Sequence, residues 1–152
     1  MTEMNSYLTF NGNCREAMHF YKDCLGGELV LQTIGGSPMA DKMPEQMKEC
    51  ILHATLTKDK WILMGTDMVC DDGMIKGNTV GMVLNCSTEE EIRNYYTKLS
   101  AGGRATHSLE NTFWGALFGD LVDKYGNHWL LNYEKGKAIS RKAAKNAKAQ
   151  RV

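Results

Sequence analysis

Two stretches of this 152-residue chain follow the same pattern, offset by about 74 positions. Apolar residues alternate around Leu8 and Phe10 as they do in a strand, and the same alternation recurs at Met82 and Leu84. Each alternating stretch is followed by a polar turn and then by apolar residues at helical spacing. The sequence is therefore constrained to fold as two copies of one small supersecondary unit.

The two predicted helices carry matching signals at both ends. Asn13 and Ser87 are candidate N-caps, and each precedes a glutamate by three residues, as in a capping box. Apolar stripes follow at i, i+3 and i+7: Met18, Tyr21 and Leu25 in the first helix, and Ile92, Tyr95 and Leu99 in the second. A glycine pair closes each helix, which predicts left-handed C-caps at residues 26–27 and 102–103.

The remainder of each half predicts three further strands. Glu28–Ile34 and Arg104–Ser108 follow the helices, and two hairpins come after them, over residues 50–64 and 118–133. Each half is thus strand–helix–strand–strand–strand. Because one helix covers only one face of a four-stranded sheet, the two copies must pack together.

The predicted fold class is α+β, built from two βαβββ modules in a single domain. The modules span residues 5–65 and 79–134, with a linker rich in Asp and Gly over residues 66–80. Residues 35–49 form an insertion in which Met39, Met43 and Met47 recur at i, i+4 and i+8, a spacing that predicts one helical stripe.

Composition and charge narrow the functional classes. Hydrophobic residues make up 43% and charged residues 24%, as in ordinary globular proteins, and no apolar run approaches the roughly 20 residues of a membrane span. The residues from Lys135 to the end contain seven basic side chains and no acid, which predicts a basic, disordered tail over residues 135–152. The body then carries 11 basic and 18 acidic side chains, so nucleic-acid binding is disfavoured. We expect a cytoplasmic protein without membrane association.

Several segments together resemble one family. They are Tyr7–Asn13, Glu16-Ala17, Phe20-Tyr21, Leu25–Gly27, Asn111–Ala116 and Asp123–Trp129. The sequence resembles the PhnB-like branch, also labelled 3-demethylubiquinone-9 3-methyltransferase-like, of the vicinal oxygen chelate superfamily of glyoxalases, bleomycin-resistance proteins and dioxygenases. The resemblance covers residues 5–134. It implies two curved mixed sheets around a cavity that binds a small organic molecule, often completed in a homodimer.

The same resemblance implies where a catalytic metal would be held. Metal enzymes of the superfamily take His or Glu ligands from the first and last strands of each module, which correspond here to Tyr7, Ile62, Gly81 and Leu130. None of these residue types is a good ligand for a divalent metal. The five cysteines lack the spacing of a metal site, so we expect no metal and no cofactor. A methyltransferase is disfavoured because no glycine-rich turn joins a strand to a helix.

Candidate binding residues follow from strand alternation and from the aromatic residues. His53 alternates with Thr55 and Thr57 along one strand and is the candidate for proton transfer or hydrogen bonding to a ligand. Phe113 and Trp114 are candidate wall residues of the cavity. The remaining candidates for ligand contact are Tyr7, Thr9, Thr55 and Asn132.

These residues leave three functional classes open. The favoured one is a metal-free small-molecule-binding protein of the bleomycin-resistance type, which holds its ligand by burial and stacking. The alternative is a lyase or isomerase of the glyoxalase type that uses His53 or a non-standard site, such as His53 with His107 or Cys50. The third is a purely structural or interaction protein whose cavity is filled by its own side chains.

Overall fold

The structure is a computed structural model of the chain, and it describes residues 1–135. The predicted tail beyond Lys135 lies outside the described residues. The chain divides into two compact units, the first ending at Lys76 and the second beginning at Gly77. None of the helices within residues 1–135 has the length and apolarity needed to cross a membrane.

The first unit contains one four-stranded mixed sheet and one long helix. Its elements are β1 (Ser6–Thr9), α1 (Cys14–Leu25), β2 (Glu28–Thr33), β3 (Ile51–Lys58) and β4 (Trp61–Thr66). The strand order is β1-β4-β3-β2, in which β1 runs parallel to β4 and the other pairs are antiparallel.

The second unit repeats this arrangement. Its elements are β5 (Met82–Asn85), α2 (Glu89–Ser100), β6 (Arg104–Asn111), β7 (Ala116–Val122) and β8 (His128–Glu134). The strand order β5-β8-β7-β6, with β5 parallel to β8, is the order of the first sheet. Two βαβββ units with the same topology confirm the predicted α+β fold class and the duplication.

Helix α1 packs on one face of the first sheet. Met18 and Tyr21 of its predicted stripe are fully buried, and Leu25 is nearly so. Gly65 lies beneath the helix, where an added Cβ would come within 3.1 Å of both Cys14 Sγ and Met18 Sδ. An alanine at this position would therefore require both sulfur atoms to move back by a few tenths of an ångström.

Helix α2 packs on the second sheet with a smaller buried face. Ile92 and Leu99 are fully buried, against a sheet whose core residues include Leu121 and Leu131. Trp129 is buried as well, and its indole Nε1 donates a hydrogen bond of 2.8 Å to the carboxylate of Asp123. The buried faces of helix and sheet form the core of this unit.

Some local expectations differ from the structure. The N-cap of α2 is Thr88, one residue after Ser87, and Asn13 caps α1 without any side-chain hydrogen bond. The methionine spacing in the insertion does not form one helix, because Pro44 separates two short 3-10 turns at Ala40–Lys42 and Glu45–Met47. Strand β6 extends to Asn111, three residues beyond the predicted end.

Candidate functional site

The face of the first sheet opposite α1 carries most of the predicted contact residues. Ala54 and Leu56 of β3 are fully buried beneath the helix, so the alternating His53, Thr55 and Thr57 lie on the other face. Strand pairing adds neighbours that sequence patterns alone could not assign: Met64 of β4 lies beside both Tyr7 and Thr55, and Val30 and Gln32 of β2 lie beside Thr55 and His53. We call this surface, defined by Tyr7, Thr9, Val30, Gln32, His53, Thr55 and Met64, the open face of the first sheet.

Tyr7 and His53 form a ring pair on this open face. Their ring centroids are 6.0 Å apart and their planes are inclined by 25°, so the rings are stacked although they come from strands separated by β4. Tyr7 remains 53% exposed. The pair therefore presents an aromatic surface on which a flat ligand can stack.

Thr66 lies at the end of β4, where it pairs with Thr9 of the open face. This residue is 2% exposed, and its Oγ1 donates a hydrogen bond of 2.7 Å to the backbone carbonyl of Leu52 while accepting one of 3.0 Å from the amide of Met68. These two hydrogen bonds orient the Thr66 hydroxyl toward the backbone of β3 and of the segment that follows β4.

His53 has ring contact with Tyr7 and no acidic partner. Within residues 1–135 no carboxylate makes a hydrogen bond or an ion pair with its imidazole. A general base is normally oriented by a carboxylate or a carbonyl on its second ring nitrogen. On this geometry His53 is suited to stacking and hydrogen bonding rather than to proton abstraction.

Asn132 lies on the corresponding face of the second sheet. It is paired with Asn85 on β5 and with Phe118 on β7. Its Nδ2 donates to Asn85 Oδ1 at 3.2 Å and to Glu134 Oε1 at 3.4 Å, so both donors of the amide are engaged. The side chain is held in place by its neighbours.

Phe113 and Trp114 lie in the loop between β6 and β7. Phe113 is 97% exposed and Trp114 56% exposed, and the two rings meet edge to face at 4.8 Å. The loop is held closed by Thr112, whose backbone and side chain both bond to Ala116. The aromatic pair is thus presented on a firm turn, and its role as a wall of a binding site stays a prediction.

A cleft of about 430 Å³ beside the N-terminus of α1 has a structural explanation. It is lined by Gly12, Asn13, Arg15, Glu16, Glu49, Cys50 and Asp67. The Asp67 carboxylate, 6% exposed, accepts backbone hydrogen bonds from Gly12, Cys14 and Ile51 at 2.8–2.9 Å. It therefore satisfies the first amide of the helix, that of Cys14, together with one amide of the preceding turn and the first amide of β3.

The residues at the strand positions implied for a metal do not fit one. Gly81 precedes β5, and the β5 residues on the face opposite α2 are Val83 and Asn85, which pair with Leu130 and Asn132 of β8. In the first sheet Tyr7 is paired with Met64. These positions supply no imidazole or carboxylate, and no group of three His, Cys, Asp or Glu within residues 1–135 is arranged to hold a metal ion.

Comparison with known proteins gives a family-level match. The sequence model of the family described as 3-demethylubiquinone-9 3-methyltransferase matches residues 2–132. The chain is 30% identical over 145 residues to Protein YjdN of Escherichia coli K12, a match that covers 87% of this chain and 95% of the relative.

Solved structures extend the likeness to the fold. Protein PA1353 of Pseudomonas aeruginosa is 35% identical, with a TM-score of 0.76 over 88% of this chain and 98% of the other. A putative 3-demethylubiquinone-9 3-methyltransferase, PhnB protein, from Bacillus cereus is 26% identical, with a TM-score of 0.70 over 87% and 99% of the two chains. Glyoxalase-related structures at 12–17% identity and TM-scores of 0.52–0.58 share the fold alone.

Proposed function

The chain belongs to the 3-demethylubiquinone-9 3-methyltransferase family, the PhnB-like branch of the glyoxalase/bleomycin-resistance/dioxygenase superfamily, and on that premise we propose that it is a metal-free small-molecule-binding protein. The observation that carries the proposal is the stacked ring pair of Tyr7, which is 53% exposed, and His53, on a sheet face that also carries Thr9 and Thr55. Rings and short hydroxyl side chains suit a flat organic ligand with one or two polar groups.

The ligand is held by stacking and burial under this proposal. An aromatic pair contributes about 0.5–1.5 kcal/mol beyond the area it buries, so a planar ligand on Tyr7 gains from both terms. Thr55 offers a hydroxyl two residues from His53 on the same strand face, and Gln32 lies beside His53 on β2. These polar groups supply direction and specificity rather than most of the affinity.

Methyl transfer, which the family description names, has little support in these residues. A nucleotide-type methyl donor usually binds at a glycine-rich turn between a strand and a helix. Between β1 and α1 the turn holds a single glycine, Gly12, and its amide already donates to Asp67. Between β5 and α2 the turn Cys86–Thr88 has no glycine.

Homodimerisation and a cytoplasmic location are further parts of the proposal. Large apolar side chains are exposed in both units, among them Val30, Ile75, Val83 and Phe113. Exposed apolar patches on a soluble chain are commonly covered by a second copy. A second candidate function, a lyase or isomerase, is favoured by one observation, the hydrogen-bonded His107–Asp120 pair treated below.

The binding proposal is tested by titrating the ¹⁵N-labelled full chain with indole, a planar probe with one donor, and following backbone amide shifts. We expect shifts centred on Tyr7, His53 and Thr55, and about a tenfold weaker affinity in Tyr7→Ala, with His19→Ala as the control because His19 is exposed on α1. An affinity of Tyr7→Ala for indole equal to that of the wild type would contradict the proposal. So would the absence of amide shifts on the open face of the first sheet.

A further inference from the structure

A polar cluster lies on the second sheet, on the face that also carries Asn132. His107 Nδ1 and Asp120 Oδ1 are 2.8 Å apart, and the other carboxylate oxygen of Asp120 is 3.8 Å from His128 Nε2. The three residues come from neighbouring strands β6, β7 and β8. One carboxylate therefore lies between two imidazoles.

The hydrogen bond determines which nitrogen of His107 is basic. A carboxylate can only accept, so Nδ1 carries the proton that Asp120 binds, and Nε2 keeps its lone pair. The His107 side chain is 75% exposed, whereas that of Asp120 is only 15% exposed. The basic nitrogen thus reaches solvent while the group that orients it is largely shielded.

The backbone holds this arrangement at an irregular point of the sheet. The pairing of β6 with β7 shifts register on both sides of His107. The Tyr96 hydroxyl of α2 lies 2.9 Å from the carbonyl of His107 and 3.1 Å from that of Asp120, bracing both strands. Irregularities of this kind re-aim side chains and are over-represented beside active sites.

Within residues 1–135, the one ion-pair partner of His107 is Asp120. Arg104 and Glu110 lie on the same face of β6 at the neighbouring paired positions, and β7 contributes Asp120. In the described part of the chain, His128 Nε2 on β8 is buried without a hydrogen-bond partner and lies 3.8 Å from the second oxygen of Asp120. That distance is too long for a hydrogen bond, so of the two imidazoles Asp120 binds that of His107.

We propose that His107 and Asp120 form a proton-transfer site, with His107 as the general base and Asp120 as the residue that positions it. Nε2 of His107 takes a proton from a C–H or O–H acid, the electron pair stays on the substrate as an enolate or alkoxide, and the resulting imidazolium returns the proton to the same or a neighbouring atom. The step is an isomerisation and needs no co-reactant. The substrate class is a small carbonyl compound with an acidic α-proton.

This inference goes beyond the proposed binding function and does not depend on it. The ring pair Tyr7–His53 lies in the first unit, and the dyad lies in the second. Loss of indole binding in Tyr7→Ala tests the first proposal only. The experiment below tests the second.

The test uses 5-nitrobenzisoxazole, whose isoxazole ring opens when a base removes the proton on C3. The electron pair forms the nitrile, the N–O bond breaks, and 2-cyano-4-nitrophenolate is released without any other reactant. We expect the full chain to accelerate this reaction about tenfold over an equal concentration of free imidazole, a modest part of the usual general-base effect. His107→Gln and Asp120→Ala should each reduce the rate to the imidazole level, and His19→Gln should leave it unchanged.

A spectroscopic signature separates positioning from a merely structural role for Asp120. Imidazole ¹⁵N shifts of the wild type should report the Nδ1–H tautomer at His107, and Asp120→Ala should convert it to the Nε2–H form while the rest of the spectrum stays folded. A wild-type rate no higher than that of imidazole would overturn the proposal. So would a His107→Gln rate equal to the wild type, or a tautomer that Asp120→Ala leaves unaltered.

Discussion

Single buried carboxylates fix the turns of both units. Asp67 accepts three backbone amides across a sequence distance of up to 55 residues, and Asp123 accepts the amides of Tyr125 and Asn127 together with the Trp129 indole. Both side chains are almost fully buried. A buried carboxylate stabilises the fold only while its hydrogen-bond donors are present. The buried amides that donate to it are in turn left unsatisfied if the carboxylate is removed.

Replacing Asp67 should therefore destabilise the chain strongly. Asp67→Ala leaves the amides of Gly12, Cys14 and Ile51 without their acceptor, and we expect the free energy of unfolding to fall by about 3 kcal/mol. Urea denaturation measures the change, with the exposed linker residue in Asp71→Ala as the control. Equal midpoints for the two variants would show that Asp67 does not carry this role.

The Cys14 thiol gives the stability a pH dependence. Burial raises the pKa of this thiol from 9.0 to about 12, with the charge of Asp67 adding to the effect. Between pH 9 and pH 12 the Cys14 thiol keeps its proton in the folded chain and loses it in the unfolded chain. The contribution of this thiol to the free energy of unfolding is therefore fully present below pH 9 and declines as the pH rises.

Comparison with cysteine variants separates the effect of Cys14 on the pH dependence of stability from the titration of lysines and tyrosines. From pH 9 to 10.5 the wild type should lose stability faster than Cys14→Ala, by at most about 1.4 kcal/mol per pH unit. Cys70→Ala, which removes an exposed thiol, should follow the wild type. Urea midpoints at four pH values provide the measurement, and parallel curves for wild type and Cys14→Ala would contradict the assignment.

At the scale of elements, the two helices begin by different devices although their sequences match. The Thr88 hydroxyl of α2 accepts from the Glu91 amide at 3.1 Å, and the Glu91 carboxylate accepts from the Ser87 amide. Helix α1 has Asn13 in the same place, but the acceptor for its first amide, that of Cys14, is Asp67, which is 53 residues away in the sequence. The local cap of one copy is replaced in the other by a long-range contact.

This difference predicts opposite outcomes for equivalent substitutions. Thr88→Ala should lower the free energy of unfolding by about 1 kcal/mol because a helix amide loses its acceptor. Asn13→Ala, its counterpart in the first copy, should change it by less than about 0.5 kcal/mol since no side-chain hydrogen bond is lost. Chemical denaturation of both variants decides the point, and a larger loss in Asn13→Ala would refute it.

Local patterns predicted the elements well because their causes are local. The alternation of residues along β3 correctly predicts that His53 and Thr55 lie on one face. The turn at Asp59, where φ is positive, is predicted by a polar segment between two apolar runs. The cap of α1 by Asp67 and the His107–Asp120 pair join residues 53 and 13 positions apart. Such contacts depend on strand register, and no single segment of sequence contains the signal.

At the scale of the whole molecule, duplication leaves apolar surface exposed in each unit. Tyr7 and Val30 are more than half exposed in the first unit, and Val83 and Phe113 in the second. We expect two copies of the chain to associate and cover such surface. Light scattering at micromolar concentration should give twice the 17.0 kDa of one chain, and the mass of a single chain would count against association.

Native mass spectrometry of the purified full chain tests the central claim most directly, because it weighs protein, metal and bound organic molecule together. The account predicts a species with no stoichiometric metal that carries a small organic molecule, and loss of that added mass in a Tyr7→Ala, His53→Ala variant while His19→Ala keeps it. One equivalent of zinc, nickel or iron per chain, removed by chelator together with an activity, would contradict the account. So would an added organic mass that persists after both ring residues are removed.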